Sequence, residues 1–250
     1  MSQNDGGEGQ GRRTARERLR AEREQERKAE KRRRTLKMAG VTVGVLGLAT
    51  AVGVSAVTLG GKDGGGKTDT KPVVDGANGA PATLTVYEDF RCPACGQFES
   101  QFHGTVNKLR AEGKLKTEYH LVTLIDDNSG GRGSARAANA ALCAADAHRF
   151  RAYHDLLYKH QPPEEEDTFR STDRLLSLAK KVPALKRNAS FERCVRQGKN
   201  DGRVQRSNRA FKQSGHQQTP TVLLDGKDVY GQSSTPLTPK RLRQMVQEKA

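Results

Sequence analysis

The chain predicts an α/β domain with an inserted helical subdomain, preceded by a single transmembrane helix. Three observations predict this. An alternating run, Thr83-Leu84-Thr85-Val86-Tyr87, leads through Cys92-Pro93-Ala94-Cys95 into a segment of helical spacing. From about residue 134 to 214 the apolar spacing is helical throughout, and extended character returns only at Thr221-Val222-Leu223-Leu224. The 24 residues 38–61 carry no charge at all. A length of 250 residues allows one domain plus appendages. The sequence has no zinc-finger spacing, no GxxxxGK[ST] phosphate loop and no fixed-period repeat, so those classes are set aside.

Of the 44 basic and 29 acidic residues behind the formal charge of +15, residues 1–37 hold 13 and 7, a net +6 that ends in Lys31, Arg32, Arg33, Arg34 and Lys37. No apolar stripe exists to dock this segment, so it reads as a solvated basic tail on the cytoplasmic side. Binding to nucleic acid or anionic lipid is the alternative. No aromatic residue interleaves the basic ones as a stacking platform, and no nucleic-acid partner is expected.

Residues 38–61 are long enough to cross a ~30 Å hydrocarbon core at ~1.5 Å per residue. The basic cluster lies just before the span, which keeps the N-terminus cytoplasmic and places the rest of the chain outside. A signal peptide cleaved near Val54-Ser55-Ala56 is the competing reading, but the 37-residue leader exceeds what a signal peptide needs. Residues 62–81, rich in Gly, Lys and Asp, read as a flexible linker to a domain over 82–250.

Within that domain, the run at 83–87 predicts a strand, and Phe98, Phe102, Val106 and Leu109 predict the helix that follows. A second extended run over 115–125, with Tyr119, Leu121, Val122 and Leu124, completes a βαβ unit. Helices of the insertion are marked by Ala138, Leu142 and Ala145, by Tyr153, Leu156 and Leu157, and by Leu175, Leu178, Ala179 and Val182. Gln161-Pro162-Pro163 and Val182-Pro183 break them. Asp225-Gly226 predicts a hairpin between 221–224 and Val229-Tyr230, and Thr238-Pro239 opens a last helix with Leu242, Met245 and Val246 on one face.

The candidate chemistry is in Cys92-Pro93-Ala94-Cys95. After a strand and at the start of a helix, Cys92 takes the capping position with Pro93 at the first helical residue, so free amides face its sulfur and favour a thiolate. Adjacent Arg91 offers further positive charge. Cys95, one turn on, can close or resolve a disulfide. A metal half-site is the alternative, but it needs a second ligand pair, and Cys143 and Cys194 stand 51 residues apart without the knuckle pattern; no metal or other cofactor is expected.

The segment Glu88-Asp89-Phe90-Arg91-Cys92-Pro93-Ala94-Cys95, the helical insertion and Thr219-Pro220-Thr221 before a strand resemble the DsbA-like family of extracytoplasmic thiol-disulfide oxidoreductases, over residues 82–250. The resemblance implies a thioredoxin-like fold. It implies that Cys92 and Cys95 are catalytic, that Pro220 is a cis-proline facing them, and that Thr219, Pro93 and Ala94 contact an extended substrate segment. An ordinary trans-proline at a strand start is the alternative for Pro220. The implied partners are exported proteins carrying thiols and a quinone-linked membrane reoxidase. The family's acid six residues before the first cysteine is absent here, where Val86 stands. Glu88 and Asp89 are the nearest acids, read as solvated at a loop end, with substitution for the missing acid through water as the alternative. Ala94 stands where the strongest oxidants have histidine, which points to a potential between about −270 and −120 mV, and Gln218 stands where glycine is common in the loop before Thr219-Pro220.

Cys143 and Cys194 fall in two predicted helices on the outer side of the membrane, where disulfides persist, and are read as a structural disulfide, with two buried free thiols as the alternative. None of the six histidines carries a catalytic signal: His154 reads as packing or surface, and His216 as a candidate groove residue. The expected function is disulfide formation in exported proteins. A reductase or isomerase, or a redox-inert binding or chaperone module, is the alternative.

Overall fold

The computed structural model describes residues 71–231 and 236–249. The predicted tail, the membrane span and residues 62–70 of the linker lie outside the described residues, among which no helix is long and apolar enough to cross a membrane.

Five strands form one sheet in the order β1-β3-β2-β4-β5: β1 (Val73–Asp75), β2 (Ala82–Glu88), β3 (Leu115–Leu121), β4 (Thr221–Leu224) and β5 (Lys227–Asp228). The central pair β2 and β3 is parallel, with Ala82 opposite Leu115 and Glu88 opposite Leu121; the other pairs are antiparallel. A parallel pair needs a crossover. Here it is α1 (Pro93–Ala111), whose Phe98, Phe102, Val106 and Leu109 are buried at helical spacing. β2 alternates strictly, so Leu84, Val86 and Glu88 share the inward side while Thr85 and Tyr87 face the other way.

Between β3 and β4 lies the helical insertion: α2 (Leu124–Ser129), α3 (Gly133–Asp146), α4 (Phe150–Lys159), a short 3-10 turn at Thr168–Arg170, α5 (Thr172–Ala179), α6 (Ala189–Gln197) and α7 (Asp201–Gln213). Ala137, Ala138, Ala140, Ala141 and Ala144 of α3 are buried, which lets neighbouring helices approach its backbone closely. One apolar core runs from the sheet into this subdomain. Each fully buried Leu or Phe in it contributes on the order of 1.5–3 kcal/mol by leaving water. The closing helix α8 (Pro239–Gln247) is capped by the Thr238 hydroxyl, which accepts from the Arg241 amide at 3.1 Å, and it buries Leu242 and Val246.

Three boundaries differ from the sequence expectation. β1 lies inside the stretch read as linker: Val73 packs on the core, and Asp75 binds the guanidinium groups of Arg110 and Arg151, contacts made 35 and 76 residues away. The run at 115–125 is a strand only to Leu121. Beyond it the amide of Thr123 is taken by Asn208 and that of Ile125 by Asp89, so the chain turns into α2 instead of continuing the ladder. The hairpin closes tighter than expected, with Leu224 opposite Lys227 and both Asp225 (φ 48°) and Gly226 (φ 79°) left-handed, as a two-residue turn of this type requires.

Candidate active site

Cys92 caps α1 from an extended conformation, with Pro93 in the first turn, so the exposed amides of the helix start converge on its sulfur. Cys92 is 7% exposed and Cys95 fully buried; both are free thiols. Pro93 is exposed and Ala94 half-buried beside them. Across the cleft, the Thr219–Pro220 peptide bond is cis. The Cys92 thiol donates to the Thr219 carbonyl at 3.2 Å, bringing together residues 127 positions apart. The Thr219 hydroxyl is buried beside the same sulfur.

The two sulfurs differ electrostatically. A hydrogen bond from the Cys95 thiol is the largest cause that lowers Cys92 to about 6; burial opposes it, and Thr219 with the amides of Cys95 and Ala94 adds to it. Cys95 is pushed well above the usual thiol range, first by burial and then by its hydrogen bond to Cys92 and the charges of Cys92 and Glu88. The arrangement favours one anion, on Cys92, with the proton held on Cys95.

The expectation of a solvated acid at Glu88 or Asp89 is corrected: both are buried. Glu88 follows the inward alternation of β2, and its Oε1 lies 2.8 Å from Nε2 of His154. His154, read from sequence as packing or surface, is fully buried on α4; burial opposes its charge, but Glu88 and Asp155 outweigh that and raise it well above the usual imidazole range. Asp89 accepts from the amides of Arg91 (2.8 Å) and Ile125 (2.9 Å), and burial nevertheless pushes its carboxyl up to about 7.

Arg91 is corrected as well. Its guanidinium does not serve the Cys92 sulfur. It donates to Asp126 (2.8 Å), to the Gly130 carbonyl (2.8 Å) and to the Glu164 carbonyl (3.0 Å), tying the strand-to-helix loop to the insertion. Gln161 does the same from the insertion side: its Nε2 donates to the carbonyls of Phe90 and Cys92, each at 2.9 Å. Gly96 lies beneath it, and an added Cβ there would sit 2.2 Å from Gln161 Oε1 and displace that side chain. Neither contact had a sequence signal, because Gln161 precedes two prolines that read only as a helix break. Ile125 and Tyr158 complete the apolar wall around the two cysteines.

Cys143 and Cys194 are bonded, S–S 2.03 Å with Cα atoms 5.8 Å apart, joining α3 to α6. His216 packs against Tyr87 (5.4 Å) and Phe211 (6.0 Å) on the side of the sheet opposite Glu88.

The thioredoxin family model matches residues 67–248. Among solved structures, the reduced disulfide oxidoreductase DsbG of Mycobacterium tuberculosis is 30% identical with a TM-score of 0.60, over 71% of this chain and 86% of that one. Oxidised DsbA of the same organism is also 30% identical with a TM-score of 0.60, over 71% of this chain and 92% of that one. Part of the serine/threonine-protein kinase PknE of M. tuberculosis is 29% identical over 136 residues, 52% of this chain and 24% of the kinase. The chain therefore spans about a quarter of the length of the curated relatives it matches. With a family match over most of its length and two oxidoreductases of this fold at 30% identity, the chain belongs to the thioredoxin family, and within it to the DsbA-like thiol-disulfide oxidoreductases.

Proposed function

We propose that the protein is a membrane-anchored oxidase that introduces disulfides into exported proteins through Cys92 and Cys95. The observation that carries this reading is the asymmetry of the two sulfurs, Cys92 at a helix start and lowered to about 6, Cys95 buried and raised. A substrate thiolate attacks Cys92 in the oxidised pair, forming a mixed disulfide, and Cys95 leaves with the electron pair and takes up a proton. The substrate's second thiolate then attacks its own sulfur in that mixed disulfide, and Cys92 leaves as a thiolate. Substrate is oxidised by two electrons and the pair is reduced by two. A low pKa makes Cys92 the better leaving group and stabilises the reduced enzyme, which is what an oxidant needs.

Pro220 and Thr219 hold the substrate segment opposite Cys92, with the exposed Pro93 and half-buried Ala94 as the floor of the contact. Residues 1–37 form a cytoplasmic tail, 38–61 a single membrane helix, and a tether from residue 62 leads to the outer domain, which begins at β1. The uncharged run, the basic residues before it and a Cys143–Cys194 bond suited to an oxidising compartment support this topology. Electrons pass from the reduced pair to a quinone-linked membrane partner.

The reduction potential of the full chain, equilibrated in glutathione buffers, tests the direction. It is expected between about −270 and −120 mV, and Cys92→Ser is expected to lose oxidation of a reduced test protein. A potential at or below about −270 mV makes the protein a reductase, and undiminished activity of the variant removes the mechanism.

A further inference from the structure

α1 carries more than the cysteine pair. Glu99 and His103 follow Cys95 at steps of four along the helix and open into a cavity of about 390 Å³, lined also by Asp155 and Tyr158 of α4, with Lys159 at its side. One ligand atom from each of Glu99, His103 and Asp155 lies within 4.8 Å of the others, and Glu99 also closes a second group of that size with Glu88 and His154.

His154 is not available as a ligand, because Nε2 faces Glu88 at 2.8 Å and Nδ1 faces Asp155 at 3.0 Å. It orients the two carboxylates, the part that outer partners play around bound metals. Glu88 is buried, yet its Oε2 has no partner among the described residues. That oxygen belongs to a carboxylate grouped with Glu99, so the cluster presents an unmatched acceptor from within. Tyr158 Oη, on the cavity wall, is likewise buried without a partner among the described residues. Three carboxyl groups thus gather around a histidine whose two ring nitrogens are both taken.

We propose that Glu99, His103 and Asp155, backed by Glu88, bind a divalent cation of the zinc class. Two carboxylates and an imidazole with one open position suit zinc, whereas magnesium and calcium sites are built from oxygen alone. Zinc bonds of about 2.0–2.2 Å set tetrahedral ligand atoms roughly 3.3–3.5 Å apart. His103 Nδ1 already stands 3.7 Å from Asp155 Oδ1, and both side chains are exposed enough to close the remainder. Asn107 holds the other ring nitrogen of His103 at 2.8 Å, which fixes the ring with Nδ1 toward Asp155. Cation binding moves the ring proton to Nε2 and releases the Asn107 amide, whose Oδ1 stays with the Arg110 guanidinium at 3.0 Å.

The test uses the full chain in detergent with Cys92 and Cys95 oxidised to a disulfide, so that no thiolate competes, titrated with zinc chloride alone. One saturable zinc per chain is expected, with a rise in thermal unfolding temperature on zinc addition. Glu99→Gln, His103→Ala and Asp155→Asn are each expected to weaken binding by at least ~10-fold and to abolish the thermal shift. His103 is surface-exposed, so its replacement leaves the fold intact and keeps the test decisive even where the other two variants lose stability. No saturable binding, or binding undiminished by His103→Ala, overturns the site. Magnesium or calcium binding as tightly as zinc overturns the choice of metal.

Discussion

Glu88 and His154 form an ion pair 2.8 Å long in which each side chain is only about 1% exposed, one from the central strand and one from the inserted subdomain. Breaking a buried pair on one side leaves an uncompensated charge, at a cost of about 3–5 kcal/mol. Urea unfolding of His154→Ala is expected to show a loss of that size, and the double variant Glu88→Leu with His154→Leu a smaller one, since it buries no charge. A single variant no worse than the double one removes the claim that the pair acts as a unit.

How much of this was legible in the sequence follows from the range over which each signal acts. The strand at 83–87, the helix after Cys92 and the cap at Thr238 are local patterns, and the structure keeps all three. Glu88 was legible too: a period of two places it with Leu84 and Val86 on the inward side, and its polarity alone argued for solvent. Its partner was not, because nothing near His154 in the chain announces an acid 66 positions earlier. The same holds for Gln161 on the cysteine loop and for Arg91, whose charge suggested a role at the neighbouring sulfur. Three acceptors contributed by the insertion draw its guanidinium elsewhere. β1 was hidden for the opposite reason: two valines in a Gly- and Lys-rich stretch become a strand only when β3 offers an edge.

The lowering of Cys92 to about 6 makes the relative stability of the two redox forms depend on pH. A thiol depressed in the folded state contributes stability to the reduced form that is fully present above its unfolded value, ~8.5, and is lost as pH falls through about 6. The unfolding temperature of the reduced protein minus that of the oxidised protein should therefore climb between about pH 6 and 8.5 and level off outside that window. Iodoacetamide should modify Cys92 with a midpoint near the lower end of the same window, while Cys95 stays unreactive. A flat difference, or an alkylation midpoint at an ordinary thiol value, contradicts the asymmetry of the pair.

Arg91 separates structural support from electrostatic activation. If its guanidinium acted on the sulfur, Arg91→Ala would raise the Cys92 alkylation midpoint. Its bonds run instead to Asp126 and to the carbonyls of Gly130 and Glu164. The expected outcome is a stability loss of about 3–5 kcal/mol, as for other broken buried ion pairs, with the alkylation midpoint of the folded fraction unchanged. Arg91→Lys should recover little, because an ammonium lacks the planar fork that reaches three acceptors at once.

The Cys143–Cys194 bond joins α3 to α6 and closes a loop with a sequence separation of 51. In the chain-entropy model such a closure contributes roughly 4 kcal/mol, and native bridges measured by removal commonly give about 2–5 kcal/mol. The double variant Cys143→Ser with Cys194→Ser should lose stability within that range. It should still oxidise a reduced test protein at temperatures where it remains folded, since the bond lies within the insertion while Cys92 and Cys95 open α1. An unchanged unfolding midpoint means that the bridge constrains nothing the helices do not already fix. Loss of oxidation in a folded variant means that the insertion positions the redox pair through α3, making the bond part of the site and not only of its scaffold.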